Sequence, residues 1–185
     1  KVKSISIWIF IVPFIAINLC LILITQFQGL FPNHEDIIHN TIPYFDGGAS
    51  ISRVARPFPS WLIFKPAMFL TSFLLIKYWL YKKSIIKSFD RNHKHIKKIV
   101  YFGIASAIAL TIHSIFLGIK FDNDLYKLFR RVVMLSFIVF EIVAQAYLVL
   151  TLYSFKNKLS KYINEKFLLL KFYLVCTLIV VAVIS

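Results

Sequence analysis

Five long apolar segments dominate this sequence, and they constrain its fold more than any other feature. They cover residues 5–27, 60–80, 99–119, 132–153 and 167–184. A helix needs about 20 mostly apolar residues to cross the hydrocarbon core of a bilayer. At 59% hydrophobic residues, the chain is also more apolar than an ordinary soluble domain. The sequence therefore predicts an all-α fold, a polytopic transmembrane helical bundle that forms a single membrane domain over residues 1–185.

Lysines and arginines predict the orientation of this bundle. With a cytoplasmic N-terminus, 13 of the 22 basic residues fall in inner segments and seven in outer ones, as the positive-inside rule requires. Residues 28–59 then form an outer loop. Residues 81–98 and 154–166 form basic inner loops, which we expect to contact anionic lipid. Five spans place Ser185 outside, so we expect a sixth span in the intact protein.

Two local signals refine the ends of the predicted spans. Asp122, Asn123 and Asp124 form an N-cap signal ahead of the fourth span, since these side chains accept hydrogen bonds from the first turn of a helix. Tyr78 and Trp79 end the second span, where aromatic side chains are typical of a membrane interface. We therefore interpret both aromatic residues as interfacial anchors.

Composition and motifs exclude several classes of function. A net charge of +14 would suit nucleic acid only on a folded soluble surface, and no segment is long enough to form one. His34 and His39 are separated by five positions, whereas zincin histidines are separated by four and share a helical face. Cys20 and Cys176 lie inside apolar segments and are expected to be buried thiols. We expect no metal site and no cofactor.

Three polar residues stand out within the predicted spans: His113, Glu141 and Gln145. Ionisable groups at membrane depth are costly, so they usually face the interior of a bundle and find partners. Glu141 and Gln145 are four residues apart and share one helical face. Counting residues from the outer ends of the two spans places His113 and Glu141 at membrane depths that differ by about one helical turn. A direct or water-bridged contact between them is therefore expected to be within reach. Two interpretations stay open: a working site, with His113 and Glu141 as catalytic or relay candidates, or polar contacts that hold helices together with Ser106, Thr111, Ser114 and Ser136.

The outer loop carries a second set of candidate residues: Asp46, Ser50, Ser52, Arg53 and Arg56. The planar guanidinium group of arginine suits phosphate recognition, so lipid headgroups are natural ligands. The alternative is a loop held by its own Asp–Arg pair and by hydroxyl-to-backbone hydrogen bonds.

The same loop and the following helix resemble a known family. The shared pattern is Pro43, the small-residue loop Gly47-Gly48-Ala49-Ser50-Ile51-Ser52, aromatic residues from Trp61 to Phe64, and a Phe-rich helix ending in Tyr78-Trp79. It resembles the DRAM and FGF-receptor-activating family, which includes the post-GPI-attachment lipid-remodelling factor. The resemblance implies a six-span bundle connected with lipid remodelling or membrane organisation. By this resemblance, Ser50, Ser52 and Arg53 are the loop residues expected to match functional positions of the family.

These observations favour a multi-pass integral membrane protein that handles or organises membrane lipid and binds lipid headgroups at its outer face. A non-enzymatic role and a lipid-modifying role both stay open, with the non-enzymatic role favoured. A small transporter or channel-type subunit with His113 and Glu141 as a relay is the alternative. A third hypothesis is a structural subunit packed beside a membrane-protein partner.

Overall fold

The chain is helical throughout most of the part that the structure describes. A computed structural model describes residues 2–33, 51–119, 123–156 and 165–184. In chain order the elements are α1 (Val2–Gln26), a 3-10 turn (Gln28–Leu30), α2 (Ile51–Val54), α3 (Ser60–Phe89), α4 (Ile96–Phe116), α5 (Asp124–Ser154) and α6 (Glu165–Ile184). These ranges contain no strand, so the predicted all-α helical bundle is confirmed.

Four helices, α1, α3, α4 and α5, are long and apolar enough to cross a membrane. Their outward surfaces carry large hydrophobic side chains, such as Phe10 on α1 and Leu135 on α5, which are 67% and 57% exposed. Water-facing surfaces rarely carry so much contiguous apolar area, whereas lipid tails solvate it. By composition the chain is therefore a membrane protein. The fifth predicted span, residues 167–184, corresponds to α6.

Two helices extend well beyond the apolar segments that predict them. α3 is 30 residues long and ends at Phe89, so the basic residues after position 80 continue the helix. α5 begins at Asp124, eight residues before the predicted span. Asn123 is its N-cap, and its side chain accepts a hydrogen bond from the Leu125 N–H at 3.1 Å. The apolar segment marks the part suited to lipid, while capping and turn residues decide where a helix ends.

Each long helix packs mainly against its neighbours in the sequence: α1 on α3, α3 on α4, α4 on α5, and α5 on α6. The bundle has two ends. At the α4–α5 end, which the sequence predicts to be outside, α4 stops at Phe116 and α5 begins. At the α3–α4 end, predicted to be inside, α3 stops at Phe89 and α4 begins at Ile96.

The segment that contains α2 covers part of the α4–α5 end. Val54 and Ala55 are almost fully buried in a core cluster that includes Cys20 of α1 and Leu117 at the end of α4. Gly118 has a φ of 89°, and a Cβ there would lie 3.2 Å from the Arg56 carbonyl oxygen. This close approach fixes Arg56 beside the end of α4. Residues 51–59 thus fold back onto the bundle.

Candidate functional site

The carboxyl group of Glu141 on α5 is the centre of a hydrogen-bonded network that joins three helices. Ser106 Oγ of α4 donates to Glu141 Oε2 at 2.8 Å, and Trp79 Nε1 of α3 donates to the same oxygen at 3.3 Å. Gln145 Nε2, one turn further along α5, donates to Glu141 Oε1 at 2.9 Å. Polar groups that lack partners in a buried site are costly, so these four side chains stabilise one another's positions. We call them the Glu141 network.

Trp79 reaches Glu141 because Gly103 leaves room for its ring. The Trp79 side chain is 0% exposed, and a Cβ added at Gly103 would overlap the atoms of the indole ring. Small residues at helix interfaces allow this kind of close approach in membranes. The interpretation of Trp79 as an interfacial anchor is therefore wrong. Its ring lies in the core, and its N–H group is used within the bundle.

A second polar contact joins α3 and α4 near the network. Ser72 Oγ donates to the Ala107 carbonyl oxygen at 2.7 Å and lies 2.6 Å from Thr111 Oγ1. Ser114, by contrast, donates to the Leu110 carbonyl oxygen of its own helix. Ser106 and Thr111 thus take part in the interhelical contacts predicted for them, whereas the hydrogen bond of Ser114 that the described part of the chain shows lies within α4.

His113 is not among the hydrogen-bond partners of Glu141 in the structure. Ser106, which does reach Glu141, precedes His113 by seven residues, or roughly 10 Å along the helix. The expected contact between His113 and Glu141 depends on counting residues from the predicted span ends. The actual register of α4 on α5 places Ser106 opposite Glu141 and moves His113 toward the α4–α5 end.

At that end His113 joins two arginines, Arg56 and Arg130. Arg56 follows α2, His113 is in the last turn of α4, and Arg130 is in α5. Arg130 lies near enough to both other residues for their charges to interact. The Nε atoms of both arginines and Nδ1 of His113 are shielded from solvent without a hydrogen-bond partner in the described ranges. We call these three residues the Arg56 cluster.

The surroundings of the Arg56 cluster add positive charge and little negative charge. Lys65 Nζ donates to the Ile115 carbonyl oxygen at 3.3 Å, so its ammonium group lies at the same end of the bundle. Asp124 is the one carboxylate described at this end, and it pairs with Lys127 at 3.0 Å. Within the described residues the cluster therefore has donors and positive charge but no carboxylate of its own.

The predicted loop residues are only partly described. Asp46 and Ser50 lie outside the described residues, and so does the side chain of Ser52, whose backbone belongs to α2. Arg53 is exposed on α2, and Arg56 belongs to the cluster. Gln145, predicted as a ligand-binding residue, instead donates to Glu141. The structure thus assigns two of these residues to separate polar groups.

Sequence reasoning missed Arg130, although a signal for it exists. Arg130 and Arg131 are adjacent, so they point to different sides of α5. Arg130 lies four residues after Tyr126, whose ring centroid is 5.9 Å from its guanidinium carbon. Arg131 is exposed. The spacing to an aromatic residue, rather than the charge alone, distinguishes the arginine that turns toward the bundle.

Histidines of the turn between α3 and α4 provide a pH-dependent feature outside the spans. The pKa of His95 is lowered by burial and, to a smaller extent, by the charges of Lys94, His93 and Lys98. The unfolded chain, with the ordinary pKa of 6.5, therefore takes up this proton at higher pH than the folded chain. The folded state binds fewer protons between the two pKa values, so acidification favours unfolding there.

We expect the free energy of unfolding to fall as the pH drops from about 7.5 through the unfolded-state pKa to about 5.5. His95→Phe should reduce that fall, because phenylalanine keeps the ring contact with Tyr147, at 5.3 Å between centroids, and cannot titrate. Equilibrium unfolding of both proteins at the two pH values measures the difference. An equal fall in the variant would contradict this assignment.

No three His, Cys, Asp or Glu side chains converge on a common point within the described ranges. His34 and His39 lie outside those ranges. The Glu141 network and the Arg56 cluster are candidate sites that do not depend on a metal ion.

No family model, curated protein or solved structure matches this chain. The resemblance to the DRAM and FGF-receptor-activating family stays a prediction. Fold and sites define a helical membrane protein with a buried carboxyl network between its helices and a basic cluster at one end.

Proposed function

We propose that this integral membrane protein binds the anionic headgroup of a membrane lipid at the α4–α5 end, with the Arg56 cluster as its binding site. The observation that carries the proposal is that Arg56, His113 and Arg130 each have a shielded nitrogen atom without a partner in the described ranges, and that Arg130 lies near enough to the other two residues for charges to interact. A shielded N–H group without an acceptor is unfavourable. A phosphate oxygen supplies both the acceptor and the opposite charge.

The position of the cluster supports a lipid as the source of that phosphate. Arg56 and Arg130 lie at the α4–α5 end, where α4 ends at Phe116 and α5 begins at Asp124. The apolar surfaces of both helices begin there. Lys65 and the exposed Arg53 extend the positive surface around it. Asp46, Ser50 and Ser52 of the outer loop are proposed to contribute to the same headgroup site.

We expect Arg56→Gln combined with Arg130→Gln to lower the affinity for phosphatidylglycerol about 30-fold, since each basic group near an anionic lipid contributes about 1 kcal/mol. The matched control is Lys127→Gln combined with Arg131→Gln, which removes the same charge from exposed positions of α5. Titration of the purified chain in detergent with labelled phosphatidylglycerol measures the affinities.

Two results would contradict this proposal. One is an equal loss of affinity in the control, which would mean that surface charge alone attracts the lipid. The other is full competition by inorganic phosphate at the lipid's own concentration, which would make a free anion the ligand. Weak competition by phosphate supports a lipid, because the acyl chains then contribute to binding.

A second candidate function, a proton or substrate relay, is favoured by one observation at the Glu141 network. Lys171 of α6 lies near enough for its charge to act on both Glu141 and Lys82. Carboxyl and ammonium groups close together at membrane depth are typical of transport pathways. If the protein is a relay, liposomes that contain it should show proton-coupled flux, and Glu141→Gln should abolish this flux. Unchanged flux in the variant would rule out the relay.

A further inference from the structure

A long groove begins at the α3–α4 end of the bundle. It is polar where it begins and mainly apolar along the rest of its length. Its volume is about 1280 Å³, and it runs along α4 between the turn after α3 and the facing side of α5. The groove shares no residue with the Arg56 cluster or the Glu141 network.

Five basic side chains surround the polar end of the groove: Lys83, Lys87, Arg91, Lys94 and Lys97. They come from the end of α3, the following turn and the first turns of α4, so folding brings them together. No carboxylate is among the lining residues. Asp90, the acidic residue of this turn, instead accepts the Asn92 N–H at 3.0 Å and lies 3.5 Å from His93 Nδ1.

The rest of the groove is apolar and follows one face of α4. Val100, Ile104, Ile108 and Ile112 line it at intervals of four residues, which places them in one row along the helix. Ala105 lies beside this row, and its small side chain leaves depth for a ligand. Phe140 of α5 forms part of the opposite wall.

The apolar row is at least as long as one leaflet of a bilayer. From Lys97 to Ile112, the last residue of the row, is 15 residues, or about 22 Å along the helix axis. Half of a hydrocarbon core is about 15 Å. A molecule with its charged group beside Lys97 can therefore lay an acyl chain along α4 and end near Ile108.

We propose that this groove binds one anionic phospholipid, with its phosphate among the five basic residues and one acyl chain along Val100, Ile104 and Ile108. Charge complementarity selects this ligand. A second transmembrane helix would cover the apolar row but leave the basic residues without counter-charges. A soluble anion would leave the apolar row unused. An anionic phospholipid satisfies both parts of the groove.

The proposed groove lipid is independent of the headgroup site at the α4–α5 end, and counting bound lipids separates the two. We expect the purified chain in detergent to retain two phosphatidylglycerol molecules in native mass spectrometry. Lys87→Gln combined with Lys94→Gln should remove one of them, while Arg56→Gln combined with Arg130→Gln should remove the other. If the unmodified chain retains a single lipid, and Arg56→Gln combined with Arg130→Gln removes it, the groove proposal is overturned while the headgroup site at the α4–α5 end stands.

The groove substitutions should lower phosphatidylglycerol affinity at this site about 30-fold. The control is Lys3→Gln combined with Lys98→Gln. It removes equal charge from the same end of the bundle, but Lys3 and Lys98 do not line the groove. Lys98 Nζ instead lies 5.3 Å from the centroid of the Tyr147 ring. An equal loss in the control would overturn the proposal in favour of general surface charge.

A third variant, Ala105→Leu, tests the apolar part of the groove. The added side chain would occupy the space beside the row on α4, so we expect about tenfold weaker binding with the basic residues intact. Unchanged binding would show that the acyl chain lies elsewhere and would overturn the proposed placement.

Phosphatidylcholine serves as the probe of charge selection: binding equal to that of phosphatidylglycerol would overturn the anionic assignment.

Discussion

Gly103→Ala is expected to lower the free energy of unfolding by about 3 kcal/mol, although alanine is the better helix former by about 1 kcal/mol. The new Cβ would overlap the indole ring of Trp79, which is fully buried and cannot swing into open space. Relief requires the ring to move, and movement breaks its hydrogen bond to Glu141. The overlap and the lost hydrogen bond together outweigh the gain in helix propensity.

Equilibrium unfolding in mixed micelles measures this change. Gly29→Ala is the matched control, because a Cβ at Gly29 meets no atom within 4 Å, and we expect it to change stability by less than about 0.5 kcal/mol. Trp79→Phe added to Gly103→Ala should restore part of the loss, since a smaller ring leaves room for the methyl group. Strict additivity of the two substitutions would contradict a direct contact between residues 79 and 103.

Glu141→Leu is expected to destabilise the bundle by about 3 kcal/mol, while Glu141→Gln should cost about 1 kcal/mol. Leucine has similar size but accepts no hydrogen bond, so the Trp79 N–H and the Gln145 amide lose their acceptor. Ser106 is less affected because its hydroxyl group also donates to the Gly103 carbonyl oxygen at 2.9 Å. Glutamine retains one acceptor oxygen, which explains the smaller loss.

The same unfolding assay measures both Glu141 variants, and Gln145→Leu is a useful comparison because it removes only one of the three donors. Similar losses for Glu141→Leu and Glu141→Gln would contradict the hydrogen-bonding explanation, since they would indicate that the charge matters more than the acceptor. Measuring both the stability and the proton flux of Glu141→Gln in liposomes also distinguishes a structural role of Glu141 from a role in transport. A stable variant without flux indicates the relay, whereas unchanged flux with reduced stability leaves Glu141 a structural role only.

The helices themselves follow directly from the apolar segments, because only a helix satisfies its own backbone in lipid. The N-cap at Asn123 was equally predictable, since its side chain accepts a hydrogen bond from Leu125, only two residues further along the same chain. Local features of this kind depend on neighbours in sequence. The predicted all-α bundle is accordingly confirmed, while its helix ends extend into polar residues that hydropathy does not detect.

The partners of Glu141 depend instead on how one helix is placed against another. A membrane helix is apolar on its buried and its lipid-facing sides, so its sequence does not distinguish them as a soluble amphipathic helix does. Trp79 therefore looked like an interfacial residue although it lies in the core. Counting from the span ends also puts His113 level with Glu141. The register of α4 on α5 is instead set by contacts between the two helices, including the hydrogen bond from Ser106 to Glu141.

The packing of each long helix on its neighbours in the sequence has a consequence for biosynthesis. Such a bundle has low contact order, so helices can associate in pairs as they leave the translocation machinery. α3 and α4 can then associate before α5 is synthesised, which brings Trp79 and Ser106 into place before their common acceptor exists. Glu141 arrives with α5, and its insertion completes the hydrogen bonds of both earlier helices. Assembly of this core thus awaits the synthesis of α5.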